Sequence, residues 1–372
     1  MAVSEESRGK PMADLALDVL TPKQALFFEP LIRKLEETGR SVLVTTRDYR
    51  EANGVLALRK IEAVSIGKHG GGDLYSKLRA SAQRTRQLAT LIHKERPGLT
   101  ISFSSPEMAR VSYGLKIPHI CISDSPHAEA ASRLAIPFSR SLYTPWIIAK
   151  SQWTRYGIPP QDIEHYHALD PWAWLRVHKP NPEVLGQLGF TKSEPLLVAR
   201  PEEVYASYMV KSEHFEDTPV VPIVNEFIKD HRNLQVAIVG RYREQILSLR
   251  EIFGRRVSVP RGVIDTTSLL HYATLFIGAG GTMTTEAALL GTPVISCYPT
   301  APTIVEDFLV ERGLVLRETD ALKAIDLAAK ILQSPREFRK RQIERARKLT
   351  ARMEDPIEFI HSRIVKLLST LV

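Results

Sequence analysis

Cysteine is scarce. Only Cys121 and Cys297 occur in 372 residues. Each sits in an apolar, strand-like run and reads as a buried reduced thiol, which excludes a disulfide scaffold and suits a cytoplasmic protein. No Cys/His cluster has zinc spacing, and no Asp-x-Asp pair occurs, so neither a metal site nor a cofactor is expected. Aromatic residues make up 7%, and no nucleic-acid-binding motif appears, which argues against a nucleic-acid partner. Long apolar runs are missing too. A membrane span needs roughly 18 uncharged apolar residues. The nearest stretch, Leu134 to Ala149, is broken by Arg140 and two prolines. The opening Met-Ala-Val-Ser-Glu-Glu has no apolar signal region, and residues 1–12 read as a polar tail.

What is present is basic. The net charge is +8, and Lys and Arg concentrate between Lys77 and Arg96 and between Arg336 and Arg352. These runs read either as solvated helix faces or as attraction to anions: nucleotide phosphates, or the anionic inner surface of a membrane. With domains of roughly 100–200 residues, the length predicts two.

Short β-branched runs alternate with stretches of helical length. In the first half strands are predicted at Leu15–Leu20, Ser41–Thr45, Ala63–Ile66, Leu99–Phe103, His119–Ser123 and Trp146–Ala149. In the second half they are predicted at Pro195–Ala199, Leu234–Val239, Arg256–Val259, Leu275–Ile277, Pro293–Cys297 and Leu314–Leu316. Between the first two strands, Phe28, Leu31, Ile32 and Leu35 mark one buried helix face from Lys23 to Thr38; Gly39 sits where a C-terminal cap belongs, and Pro30 should kink or delay the helix. Further helices are predicted at Val221–Lys229, Glu244–Ile252 and Met283–Leu290. Strand, helix, strand, repeated, gives right-handed crossovers and parallel sheets covered on both faces. The expected fold is therefore α/β: two Rossmann-like, doubly wound parallel-sheet domains facing a cleft. The first spans residues 13–178 and the second 179–350. A terminal helix, 351–372, is set off at Asp355-Pro356 and crosses back to the first domain. Ligands of such sheets bind at the carboxyl ends of the strands.

One loop stands out. Thr274 to Ser296 runs strand, glycine turn, helix, strand, through Gly278-Ala-Gly-Gly-Thr282 and then Glu286. Gly280 and Gly281 allow close approach of the backbone to a ligand, Thr282 suits an N-cap, and the helix start presents N–H groups to a diphosphate. Glu286, one turn along, could accept hydrogen bonds from two ribose hydroxyls. The alternative is a tight turn with glycines for packing alone.

The string Gly-Gly-Thr-x-x-x-Glu-Ala-x-x-x-Gly-x-Pro-Val resembles the donor motif of type B glycosyltransferases and that of UDP-N-acetylglucosamine 2-epimerases. The resemblance implies the type B architecture, with Gly280, Gly281 and Thr282 on phosphate and Glu286 on ribose. It also places Val263 and Ile264, in the loop after the preceding strand, against the base. From Asp14 to Leu368 the chain is similar to a prokaryotic family known only as a domain of unknown function. The matching strings are Phe27-Phe-Glu-Pro-Leu-Ile32, Ile66-Gly-Lys-His-Gly-Gly71, Ser105-Pro-Glu-Met-Ala-Arg110 and Arg200-Pro-Glu202.

Other polar loops follow predicted strands. In the first domain they offer His69, Glu107, Asp124 and His127 as candidate catalytic bases, with Glu107 alternatively steadying its own helix. In the second domain Arg200, Gly240 and Arg241 are candidates for donor phosphate, with an ion pair from Arg200 to Glu202 or Glu203 as the competing reading. The aromatic run from His165 to Trp174 reads as hinge packing by Trp172 and Trp174. Three activities fit. The first is transfer of a hexosyl or N-acetylhexosaminyl group from a UDP-linked nucleotide sugar to an acceptor that is lipid-linked or at the membrane surface. The second is epimerase chemistry, although the epimerases' Gly-Asp-Thr and Gly-His-Arg strings are replaced by Phe103-Ser-Ser105 and Ala199-Arg-Pro201. The third is binding of a sugar nucleotide or polyanion without catalysis.

Overall fold

The computed structural model of the chain describes residues 13–202, 218–230 and 233–370. The polar tail at 1–12, Glu203 and the last two residues lie outside them. The first domain alternates β1 (Leu15–Asp18), α1 (Pro22–Glu37), β2 (Val42–Asp48), α2 (Arg50–Leu58), β3 (Val64–Lys68), α3 (Leu74–Glu95) and β4 (Leu99–Ser102). It continues with α4 (Pro106–Gly114), β5 (His119–Ile122), α5 (Glu129–Ala135), β6 (Ser141–Pro145), α6 (Ser151–Thr154) and β7 (Ile163–Tyr166). Two short helices, α7 (Trp172–Leu175) and α8 (Glu183–Gln187), make the crossing. The second domain has β8 (Leu196–Arg200), α9 (Val220–Asp230), β9 (Gln235–Ile238), α10 (Arg243–Phe253), α11 (Thr266–Tyr272), β10 (Leu275–Gly278) and α12 (Thr282–Leu289). Then come β11 (Val294–Ser296), α13 (Ile304–Glu311), β12 (Leu316–Arg317), α14 (Ala321–Gln333), α15 (Pro335–Thr350) and α16 (Pro356–Ser369).

Every strand pair is parallel, in a seven-stranded sheet of order β3-β2-β1-β4-β5-β6-β7 and a five-stranded sheet of order β12-β11-β10-β8-β9. The strand direction of winding reverses between β1 and β4 in the first sheet and between β8 and β10 in the second. Those two points are where a doubly wound sheet opens a crevice at its carboxyl edge. One apolar core runs from β1 and α1 through Trp174 and Leu185 into the face of the second sheet. Helix α16 returns to the first domain, pairing Glu358 with Lys34 of α1 and Arg363 with Glu164 of β7.

Four predicted elements are corrected. Helix α1 runs through Pro30 without interruption. Proline in a helix interior costs about 3 kcal/mol; burial of Phe27, Phe28, Leu31, Ile32 and Leu35 offsets it. The strand expected at 146–149 lies earlier, at Ser141–Pro145, because Trp146 to Ile148 turn away to pack the core. The segment opening the aromatic run forms the edge strand β7, whose Ile163 and Tyr166 are buried while Glu164 and His165 are half-exposed. The strand expected at Arg256–Val259 is reduced to a single bridge between Ser258 and Ala237.

Candidate functional site

A cavity of about 350 Å³ opens between the carboxyl edges of the two sheets, within the usual range for a small-molecule site. Its second-domain wall is built on the β8/β10 reversal. Strand β10 ends at Gly278, and the chain turns through Gly280 (φ 81°) and Gly281 (φ 89°) into α12. Both angles lie in the left-handed region where a side chain is strained. At Gly280 a Cβ would also stand 2.8 Å from the ring of Tyr298. Gly281, not Thr282, occupies the cap position, and Thr282 is the first helical residue. No side chain then competes for the first N–H groups of α12, which leaves them to an anion.

Glu286 lies one turn into α12 and is buried. Its Oε1 accepts from the Trp174 indole Nε1 (2.9 Å) and from Thr267 Oγ1 (2.8 Å). Both bonds fall on one oxygen, so the carboxylate is held by one edge while the residue lines the cavity. Burial pushes its pKa up to about 7, helped by Asp265 and opposed by Trp174, Thr267 and Arg200. Near neutral pH the group is poised between its forms, and paired hydroxyls donating to it would favour the ionised one. Arg200 ends β8 and donates to the Val239 carbonyl at 3.3 Å, and the Glu202 carboxylate accepts from Thr218. Gly240 and Arg241 follow β9, and the Arg241 guanidinium stands over Gly281, 3.4 Å from where its Cβ would be. Val263 and Ile264 complete this wall, with Val263 pressed against Gly54 of the first domain so closely that a Cβ there would lie 2.4 Å away.

The first domain brings Lys23, Asp124 and His127 to the opposite wall. Lys23 Nζ bridges two carboxylates, Asp124 and Asp170, at 2.6 Å each. Burial alone would raise the pKa of Asp124, but Lys23 and Ser125 hold it below the usual carboxylate range. Asp170 goes the other way. Burial and the neighbouring Asp124 push it up to about 6 against the pull of Lys23 and of the Tyr166 hydroxyl, which donates at 2.5 Å. Burial holds His127 below the ordinary imidazole value, with Lys23 acting the same way and Asp124 opposing. His127 is therefore neutral at pH 7 and able to take a proton.

Two of the candidate bases fall elsewhere. His69 stacks on Tyr49 (ring centroids 4.9 Å) and accepts from the Gly71 N–H; burial and the charges of Arg47 and Lys77 press its pKa down to about 4. Glu107 belongs to a buried network at the β1/β4 reversal, 3.6 Å from Arg84 and accepting from Ser105. Neither lines the cavity. Sequence reading did not assign Lys23, Asp170 or Tyr298 to the site, and it read Trp174 only as hinge packing. Lys23 carried one usable signal: it stands at a helix start immediately after a strand, at the carboxyl edge. The others come together only through the fold. Among the described residues no three His, Cys, Asp or Glu side chains gather as a metal site needs, and no helix is long and apolar enough to cross a membrane.

The model of a family described as "Protein of unknown function (DUF354)" matches residues 13–368. The chain belongs to this family. An uncharacterized protein of Methanocaldococcus jannaschii is 29% identical over 318 residues, covering 84% of this chain and 90% of its own. Among solved structures, the UDP-GlcNAc 2-epimerase of Neisseria meningitidis bound to UDP-GlcNAc superposes with TM-score 0.71 at 16% identity, over 96% of this chain and 100% of the other. The spinosyn forosaminyltransferase SpnP does so with TM-score 0.62 at 15% identity, over 96% and 99%. At such identities the likeness establishes the fold: this DUF354 chain has the two-domain architecture shared by type B glycosyltransferases and those epimerases.

Proposed function

We propose that the chain binds a nucleoside-diphosphate sugar, most simply UDP-linked, in the interdomain cleft and transfers a hexosyl or N-acetylhexosaminyl group to an acceptor held against the first domain. One juxtaposition carries the reading. The uncapped start of α12, with the buried Glu286 one turn along and Arg200 and Arg241 beside it, faces the neutral His127 across a single cavity. The helix start and the two arginines meet the diphosphate charge directly. Glu286 takes the ribose hydroxyls, and Val263 and Ile264 flank the base. His127 is a better base than Asp124, because the Asp124 carboxylate is already committed to Lys23. Lys23 and its two carboxylates then fix the wall on which the acceptor hydroxyl sits.

The test is calorimetry with UDP, GDP, CDP and dTDP and their sugar conjugates, followed by turnover with the donor that binds. Glu286→Ala should abolish nucleotide binding. His127→Ala should keep it and lower kcat by about 10²–10⁴, the usual contribution of a general base. Undiminished turnover in His127→Ala would rule out His127 as the base.

Epimerase chemistry has its own support. Asp124 lines the cavity and shares Lys23 with the buried Asp170, whose carboxyl is pushed up to about 6, so a proton can be held and released just behind the cavity wall with no acceptor bound. A reaction run in D₂O without acceptor separates the two. Deuterium at the sugar C-2 favours epimerisation; acceptor-dependent release of the nucleotide favours transfer. Nucleotide binding with neither outcome leaves a sugar-nucleotide binding protein.

A further inference from the structure

The start of α3 exposes large apolar side chains where a packed helix would bury them. Leu74, Tyr75 and Leu78 are 68%, 67% and 69% exposed. Their i, i+1, i+4 spacing puts them on one outward face, and Arg79 and Arg86 continue that face down the helix. Arg79 lies over the Tyr75 ring at 5.7 Å. Lys68 and Lys77 flank the same turn. Between residues 69 and 94 the only acidic residue is Asp73, and its carboxylate is occupied as the N-cap, accepting from the N–H groups of Tyr75 and Ser76. The loop before the helix is tightly seated, since a Cβ on Gly70 would fall 2.5 Å from the Lys77 Cα. The patch is thus a preformed surface. Scattered exposed apolar residues need no explanation; three together at a helix start, with cations on either side, Asp73 occupied as the cap and Asp48 opposite Lys68 on the neighbouring strand, have the make-up of an interfacial helix.

We propose that this face docks the protein on an anionic lipid bilayer. Leu74, Tyr75 and Leu78 enter the headgroup boundary while Lys68, Lys77, Arg79 and Arg86 meet the lipid phosphates. Apolar insertion and a basic patch together give the two signals that stable peripheral attachment requires. The position matters as well. Helix α3 starts at the carboxyl edge of the first sheet, one strand out from α2, whose Arg50 and Glu51 line the cleft. Docking therefore brings the first-domain side of the cleft to the lipid surface. The inference stands on this surface alone and does not need the transfer reaction to be correct.

The full chain should float with vesicles of phosphatidylcholine and phosphatidylglycerol at low salt, be released at high salt, and stay behind with phosphatidylcholine alone. Leu74→Ser with Leu78→Ser should cut the bound fraction about tenfold, as removal of one of two attachment signals implies. Lys77→Glu with Arg79→Glu should do the same. The control is Arg347→Glu with Lys348→Glu, which removes equal charge from an exposed part of α15 and should leave flotation nearly unchanged. All variants should keep the thermal midpoint of the parent and its nucleotide affinity. No flotation with anionic vesicles, or flotation that the α3 variants do not reduce, overturns the proposal. So does sedimentation showing a dimer of the parent chain that Leu74→Ser with Leu78→Ser dissociates, because the patch would then belong to a second copy.

Discussion

The two sheets treat their reversal points in opposite ways. In the first sheet the crevice between β1 and β4 is filled. Arg84 reaches in from α3, donating to both carboxylate oxygens of Asp18 at 2.5 and 3.1 Å and to the Ile66 carbonyl at 3.0 Å. Thr45 and Ser105 donate to the same carboxylate, and Glu107 stands beyond. In the second sheet the crevice between β8 and β10 is left open, floored by glycines and the bare start of α12. The same topology thus offers two crevices, and side-chain volume decides which one stays open. With the first crevice filled by an ion network, the first-domain groups that face the cavity are Lys23, after β1, and Asp124 and His127, after β5.

The sharpest way to break this comparison is Arg84→Ala. Removing one partner of a buried pair strands the other charge and typically costs about 3–5 kcal/mol. Asp18 would lose its hydrogen-bonded counter-ion and Glu107 would keep only the charge of Arg47, so urea denaturation should show a loss of that size, while nucleotide affinity of the remaining folded protein stays unchanged. A loss below about 1 kcal/mol is what a solvated surface pair gives. That result would mean the first crevice is wet and open, and the contrast with the second would fail.

Arg84 also marks where the sequence stops being informative. It lies in a basic stretch that reads as a solvated helix face, and its burial depends on Asp18, 66 residues earlier. No local pattern carries that. The alternation of strands and helices was legible because hydrophobic periodicity is local, and the glycine turn was legible because the need for positive φ shows in residue type. Pro30 was misjudged because long-range burial outweighed a local rule. Asp170 and Trp174 sit in a run that reads as hinge aromatics. Their roles, one on Lys23 and one on Glu286, exist only once the crossing helix α7 is laid across the cleft.

Glu286 sharpens the comparison through pH. A carboxyl raised from 4.5 to about 7 holds a proton in the folded state that the unfolded chain releases. Stability from this group is fully present below pH 4.5 and is lost as pH rises through about 7, a decline of about 3 kcal/mol at about 1.4 kcal/mol per unit. Glu286→Gln should abolish that slope, and the slope from Asp170 cancels because both proteins share it. The stability difference between parent and variant, followed from pH 4.5 to 8, should shift by about 3 kcal/mol in favour of the variant. Ribose hydroxyls favour the ionised form, so nucleotide affinity of the parent should rise over the same pH range and that of the variant should not. A flat difference curve would mean that Oε1 and Oε2 are better solvated than the burial of this residue implies.

The smallest effect separates backbone strain from crowding. Gly280 and Gly71 both take positive φ, 81° and 73°. Gly280 has the Tyr298 ring at 2.8 Å from its would-be Cβ, whereas Gly71 has no atom within 4 Å. Gly71→Ala should therefore cost only the left-handed penalty, about 1 kcal/mol, and leave nucleotide binding alone. Gly280→Ala should cost that much plus about 1 kcal/mol for displacing Tyr298, and should weaken nucleotide binding by about tenfold or more, because the displaced Tyr298 ring lines the same cavity. Equal losses of binding in the two variants would mean that the first-domain loop contributes to the nucleotide site as much as the glycine turn does. The division of labour between an occupied and an open crevice would then have to be given up.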